Sequence, residues 1–166
     1  IDETFYELLS NSWTNVKTEG TKIYLGQYKG TDTNVKLPLI SGYDTYVLST
    51  ACYEDINGDI VLENPFISDQ NSTSPITSFL LDNGLNLEIQ CQYNKNGDKT
   101  TDNSCWDALF YNCTALETIY LNEHNTIPSS VTSLQYTFYN CNSLKTTITI
   151  DNSTSDEENI NVFSMF

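Results

Sequence analysis

Apolar and polar residues alternate over short stretches of this chain, and almost nowhere do apolar residues recur at helical spacing. Period-2 alternation marks half-buried strands. It predicts three strands across 22–50, separated by the turn-forming runs Lys29-Gly30-Thr31-Asp32 and Ser41-Gly42. It recurs in Leu116–Leu121 and Leu144–Ile150, where Ile119/Leu121 and Ile148/Ile150 share a face. Asn57-Gly58 and Asn96-Gly97, each inside β-favouring sequence, predict type I′ hairpins. Residues 68–75 and 95–104 read as polar loops. The N-terminal patch Phe5-Tyr6-Glu7-Leu8-Leu9, closed by Ser10-Asn11-Ser12, reads as a helical turn or an edge segment that caps the strands after it. The expectation is a mainly β protein with short helical or 3₁₀ turns.

A second pattern lies over the first. Phe110-Tyr111-Asn112-Cys113-Thr114-Ala115-Leu116 returns 28 residues later as Phe138-Tyr139-Asn140-Cys141-Asn142-Ser143-Leu144, and another 28 reach Phe166. Trp106, Leu134 and Val162 stand four residues before each Phe. The second copy carries one extra residue between its Leu and its strand. A fixed period of this size predicts a short solenoid, because one unit cannot bury its apolar face alone. Phe, Cys and Leu then point inward and the strands of neighbouring coils pair in parallel. The plainer alternative is one short duplication in an ordinary β domain. Phe79 with Leu85, Leu87 and Ile89 reads as a degenerate upstream copy, with Asp82 where the Cys would stand.

The F-x-x-C-x-x-L pattern followed by a short Ile/Leu strand resembles the BspA-type leucine-rich repeat of bacterial and protist surface proteins. The stretch Ile127–Ser133 is similar to that family's inter-repeat turn, and Val162–Phe166 resembles the opening of a further copy. Residues 104–166 carry the resemblance clearly, and 20–50 weakly, as a strand-rich lead-in. The expected division is a β-rich N-terminal cap over 1–78 and a leucine-rich-repeat-like solenoid over 79–166, its last repeat incomplete. The resemblance implies an extracellular, cell-surface-associated role in adhesion or in recognising a host, neighbouring-cell or matrix ligand.

Charge narrows the partners. The formal charge is −15, and all seven basic residues are Lys. Without Arg there is no bidentate phosphate clamp, and so few Lys build no anion-binding patch, which disfavours nucleic acid and anionic membrane surfaces. No run of 18 apolar residues is present, so no direct membrane insertion is expected. No signal peptide is visible, and a chain that begins at Ile1 and closes as a repeat opens predicts a processed product or a piece of a longer protein.

Candidate chemistry is sparse. Cys52, Cys91, Cys105, Cys113 and Cys141 contain no C-x-x-C pair, and the sole histidine, His124, has no Cys at zinc-finger spacing; no metal or cofactor is expected. Cys113 and Cys141 are expected as neighbouring core thiols, reduced or disulfide-linked. Asp55-Ile56-Asn57-Gly58-Asp59 has its Gly ahead of the fifth-position Asp59, with Ile60 at the sixth position where a calcium loop needs Gly and Phe66 where a bidentate acid belongs, so a hairpin turn is the better reading. His124 lies in a polar turn with no nucleophile motif around it, and the acidic run Asp156-Glu157-Glu158 reads as a solvated loop. Asn71, Asn112 and Asn152 open glycosylation sequons, with Asn112 inside the repeat motif.

Function is therefore expected on outward strand positions. If Ile119 and Leu121 face inward, Thr118, Tyr120 and Asn122 face out, and Thr147, Thr149 and Asp151 do the same in the next coil. These six make the expected ligand-binding surface for a protein or glycan. The leading expectation is a non-catalytic extracellular interaction module. One alternative is a carbohydrate-binding module of an extracellular enzyme, for which the eleven Tyr and two Trp supply material. Another is a structural component of a surface or viral assembly.

Overall fold

A computed structural model describes residues 3–95, 98–150 and 163–166. The protein is mainly β, with a single helix, α1 (Glu3–Ser12), ahead of eleven strands among the described residues. The strands are β1 (Lys17–Glu19), β2 (Lys22–Tyr24), β3 (Asn34–Leu37), β4 (Thr45–Glu54), β5 (Ile60–Glu63) and β6 (Ser78–Leu81). They continue as β7 (Asn86–Lys95), β8 (Asp98–Asp102), β9 (Thr118–Tyr120), β10 (Thr126–Ile127) and β11 (Thr149–Ile150).

Parallel pairing joins successive passes of the chain. One row is β3-β6-β9, with Val35, Phe79 and Ile119 in register. A second is β2-β4-β7, with Ile23, Tyr46 and Leu87 in register. Antiparallel β1, β5 and β8 pair with β2, β4 and β7, completing a six-stranded sheet. β10 and β11 form a two-stranded parallel sheet. Just before the first row, Thr77 donates to Thr33 O, Glu117 to Thr77 O and Lys145 to Glu117 O, so four passes stack at that level.

The 28-residue period has a backbone counterpart. Trp106, Ala108, Phe110 and Asn112 donate their N–H groups to Ser133, Gln135, Thr137 and Tyr139 at 2.9–3.0 Å. Tyr136 and Phe138 repeat the pattern to Phe163 and Met165. Positive φ recurs at Ala108, Tyr136 and Ser164 and again at Asn112 and Asn140, each 28 residues apart. Asn accepts this left-handed backbone at lower cost than most residues, which accounts for its place in the motif. The rings stack as a column: Phe66–Phe110 at 5.9 Å, Phe110–Phe138 at 6.0 Å and Phe138–Phe166 at 6.0 Å, with interplanar angles of 9°, 15° and 22°.

The column corrects one expectation. The ring above Phe110 is Phe66, 44 residues earlier, rather than Phe79. Phe79 is a strand residue in register with Ile119 and meets the column edge-on at 5.8 and 5.4 Å. The longer spacing accommodates the polar loop over 68–75 and the β7–β8 hairpin. That hairpin also corrects the reading of 95–104, since Asp98–Asp102 pairs with β7; Asn96-Gly97 itself lies outside the described residues. The β4–β5 hairpin forms at Asn57-Gly58, but only Gly58 has positive φ, so its turn is not type I′. Asp55 Oδ1 instead accepts from the N–H groups of Asn57 and Asp59.

One apolar core runs from Leu9 and Trp13 to Leu134 and Phe138. Both parallel rows and this core continue across residues 78 and 79. Among the described residues no helix is long and apolar enough to cross a membrane.

Candidate functional site

Strand alternation positions the expected surface. In the β3-β6-β9 sheet Val35, Leu37, Phe79, Leu81, Ile119 and Leu121 are buried, which turns Asn34, Lys36, Leu80, Thr118 and Tyr120 to the other face, where Ser78 also stands but is itself buried. Ser78 donates to Asn34 Oδ1 at 2.8 Å. Tyr120 lies half-buried across the face, its hydroxyl donating to Asn83 Oδ1 at 2.7 Å. It stands between two open hollows. One, of about 460 Å³, is lined by Lys36, Leu80, Thr118 and Thr146 among others. The other, of about 490 Å³, is lined by Gly84, Asn86, Asn122 and Glu123.

The other expected residues separate from this face. Asn122 is exposed but belongs to a turn, where its Oδ1 accepts from His124 N and Thr126 N. Exposed Thr149 lies on β11 in register with Thr126, and neither it nor exposed Thr147 continues the Thr118/Tyr120 row. The physical reason is length. Lys145 bonds to Glu117 O and Thr149 to Asn125 O, so the fourth pass covers in four residues what the third covers in eight and has no counterpart of the 122–125 turn. Asp151 lies outside the described residues, as do the sequon at Asn152 and the acidic run 156–158. His124 is exposed. The Asn112 sequon is buried: its amide donates to Gln70 O and Ser72 O, and its Oδ1 accepts from Asn140. Asn71 is exposed.

A surface that strand reasoning missed lies beside the Phe column. The residue after each repeat Phe points outward, and Tyr111 and Tyr139 stack at 5.6 Å with a 20° interplanar angle. Tyr136 packs against both, at 6.3 and 5.5 Å, and Phe163 packs against Tyr136 at 6.1 Å. Tyr139 is 39% exposed and Phe163 63%. The signal was present in the sequence: a Tyr follows the Phe in both copies.

A third grouping is buried. Cys91 Sγ, Cys105 Sγ and a carboxylate oxygen of Asp107 all lie within 4.8 Å of one another. The cysteines carry no sequence motif because β4–β7 pairing and the return of the chain after β8 are what assemble them. Contact with Cys91, then burial and the Asp107 charge, pushes the Cys105 thiol well up. Cys52, close enough to feel Asp107 and Cys91, is pushed up to about 12, chiefly by burial. Cys113 and Cys141 are free thiols: Cys113 is buried and its pKa strongly raised, and Cys141 donates to Phe110 O at 3.1 Å. Of these groups, the Cys91–Cys105–Asp107 cluster has the donor chemistry to hold a metal.

The chain matches no protein-family model, and comparison with curated proteins and with solved structures gives no match.

Proposed function

We propose that the chain is a short leucine-rich-repeat-like solenoid, similar to the BspA type, that serves as a non-catalytic extracellular interaction module. The Phe column, the 28-residue backbone ladder and the stacked parallel strands support the solenoid reading. The observation that carries the binding reading is Tyr120: an aromatic ring held by Asn83 on a Thr- and Asn-bearing sheet face, between two open hollows. Such a ring is the kind of rigid anchor that dominates protein interfaces. A net charge of −15 directs the module towards neutral or basic ligand surfaces.

A second reading has its own observation. The Tyr111/Tyr136/Tyr139 cluster offers ring faces for stacking against a sugar, which favours carbohydrate binding at that cluster. One experiment separates the two. The chain, its Tyr120→Ala variant and its Tyr139→Ala variant are tested against purified matrix and cell-surface proteins and on a glycan array. The leading reading expects protein binding weakened about tenfold or more by Tyr120→Ala and unchanged by Tyr139→Ala. Glycan binding lost only in Tyr139→Ala establishes the second reading, and silence on both panels removes the interaction module altogether.

A further inference from the structure

The inner face of the six-stranded sheet changes chemistry along its length. Tyr46 and Leu48 of β4 and Ile89 of β7 belong to the apolar core. The next inward positions on the same strands are Thr50, Cys52 and Cys91. The segment after β8 then brings Cys105 and Asp107 against them, and Cys91, Cys105 and Asp107 are all buried. Thr50, in register with Cys91, is 4% exposed, and its hydroxyl oxygen has no hydrogen-bond partner. Polar atoms converging at the end of an apolar core, one of them unsatisfied, mark a place where a group is missing from the hydrogen-bond inventory.

We propose that Cys91, Cys105 and Asp107, with Cys52 as the fourth donor, form a closed structural site for one zinc-class divalent cation. Thiolates joined by a carboxylate suit a borderline-soft tetrahedral ion better than calcium or magnesium, which take oxygen ligands. Zn–S bonds of about 2.3 Å and Zn–O bonds of about 2.0–2.2 Å place tetrahedral donors roughly 3.5–3.8 Å apart. The 4.8 Å envelope of Cys91, Cys105 and Asp107 needs to contract by only about 1 Å, and Cys52, which lies outside that envelope, has to move in further to complete the tetrahedron. Outer contacts already orient the donors. The Asp107 N–H points to Cys105 Sγ at 3.5 Å, and Asp107 Oδ1 accepts from Ser133 Oγ and Gln135 N, each at 2.7 Å. Such second contacts fix the ligands of metal sites. A Cys91–Cys105 disulfide uses only two of the four donors and leaves a buried carboxylate beside them, whereas a cation uses them all. Binding releases the ligand thiol protons to solvent. The inference stands independently of the binding reading above.

The test uses the whole chain, reduced and metal-free, titrated with cobalt(II) as a spectroscopic stand-in for zinc. One equivalent should bind with thiolate-to-cobalt charge-transfer bands and tetrahedral d–d bands, and zinc should displace it. Cys91→Ser and Cys105→Ser should abolish the charge-transfer bands, Asp107→Asn should weaken binding about tenfold or more, and Cys113→Ala should bind as the parent does. Zinc should also shield Cys91 and Cys105 from alkylation in the unaltered chain while leaving Cys141 as reactive as before, a readout that no unstable variant can confound. Absence of charge-transfer bands with all five thiols free, bands that survive Cys91→Ser, or recovery of the chain with a Cys91–Cys105 disulfide overturns the proposal.

Discussion

Asn64 shows how much one side chain contributes to joining two passes. It is fully buried, with its amide donating to Ala108 O at 2.8 Å and Tyr111 O at 3.0 Å, while its Oδ1 accepts from Phe66 N at 2.8 Å. These bonds span the place where Phe66 stacks on Phe110. Removing the amide leaves buried backbone groups without partners, and each such group costs about 1–3 kcal/mol. Asn64→Ala should therefore lower unfolding stability by about 2–4 kcal/mol. Asn64→Asp, which keeps the acceptor but sets a buried carboxylate against the Ala108 and Tyr111 carbonyl oxygens, should be destabilised at least as much as Asn64→Ala at neutral pH. Urea denaturation followed by tryptophan fluorescence measures both, and an Asn64→Asp variant as stable as the parent would show that the two carbonyl contacts do not matter. Nothing in the sequence distinguishes Asn64 from the other asparagines, because its partners stand 44 and 47 residues away. The repeat asparagines were legible, and their left-handed backbone explains them.

At the scale of elements, legibility followed local pattern. The strands over 22–50 and the alternation of Ile119 and Leu121 were readable because a strand's face is set by its own period of two. The outward placement of Thr118 and Tyr120 came with it. The grouping of those residues with Thr147 and Thr149 was not readable, because strand partnership depends on how many residues each pass spends in its turns. The thiol cluster was hidden for the same reason. The N-terminal segment is a helix of 10 residues that buries Leu9 and leaves Phe5, Tyr6 and Leu8 exposed, so helical spacing there was too weak to announce it. Its anchorage depends on a close approach between two segments of backbone. Gly26 N donates to Thr14 O, Gln27 N donates to Thr14 Oγ1, and a Cβ on Gly26 would lie 2.8 Å from Thr14 O. Gly26→Ala should cost about 1–3 kcal/mol by forcing these backbones apart. Its effect should concentrate in faster hydrogen exchange of α1 and β1, with β6 and β9 protected as before. Uniform loss of protection across all strands would contradict a local cap.

For the molecule as a whole, a few carboxyls and the buried thiols dictate how stability varies with pH. On the acidic side the Thr45 hydroxyl holds the Asp44 carboxyl below its usual value, and the Leu39 N–H does the same for Asp82, so what these two contribute is lost only as pH falls through their lowered values. The alkaline side is steeper. Cys52 and Cys141 are pushed up to about 12 by burial, Cys105 rises through its contact with Cys91, and Cys113 rises through burial. A thiol with a raised native pKa keeps its proton where the unfolded chain has released it. The stabilisation is complete below the unfolded value of about 8.5 and is lost as pH climbs towards the native values. Each thiol adds up to about 1.4 kcal/mol per pH unit to that loss, and the half-buried Cys52 and Cys141 add less. Tyr46, raised by burial, joins above about pH 10. Reduced, metal-free protein should hold a constant urea midpoint from about pH 7 to 8. Above about pH 8.5 stability should fall with a slope of more than one proton per molecule. Zinc-loaded protein, whose cluster thiols are already ionised in the native state, should show a shallower fall over the same interval. A slope of one proton or less in the metal-free chain would mean that these thiols ionise freely in the folded protein, and with that the sealed core around the cluster would be lost.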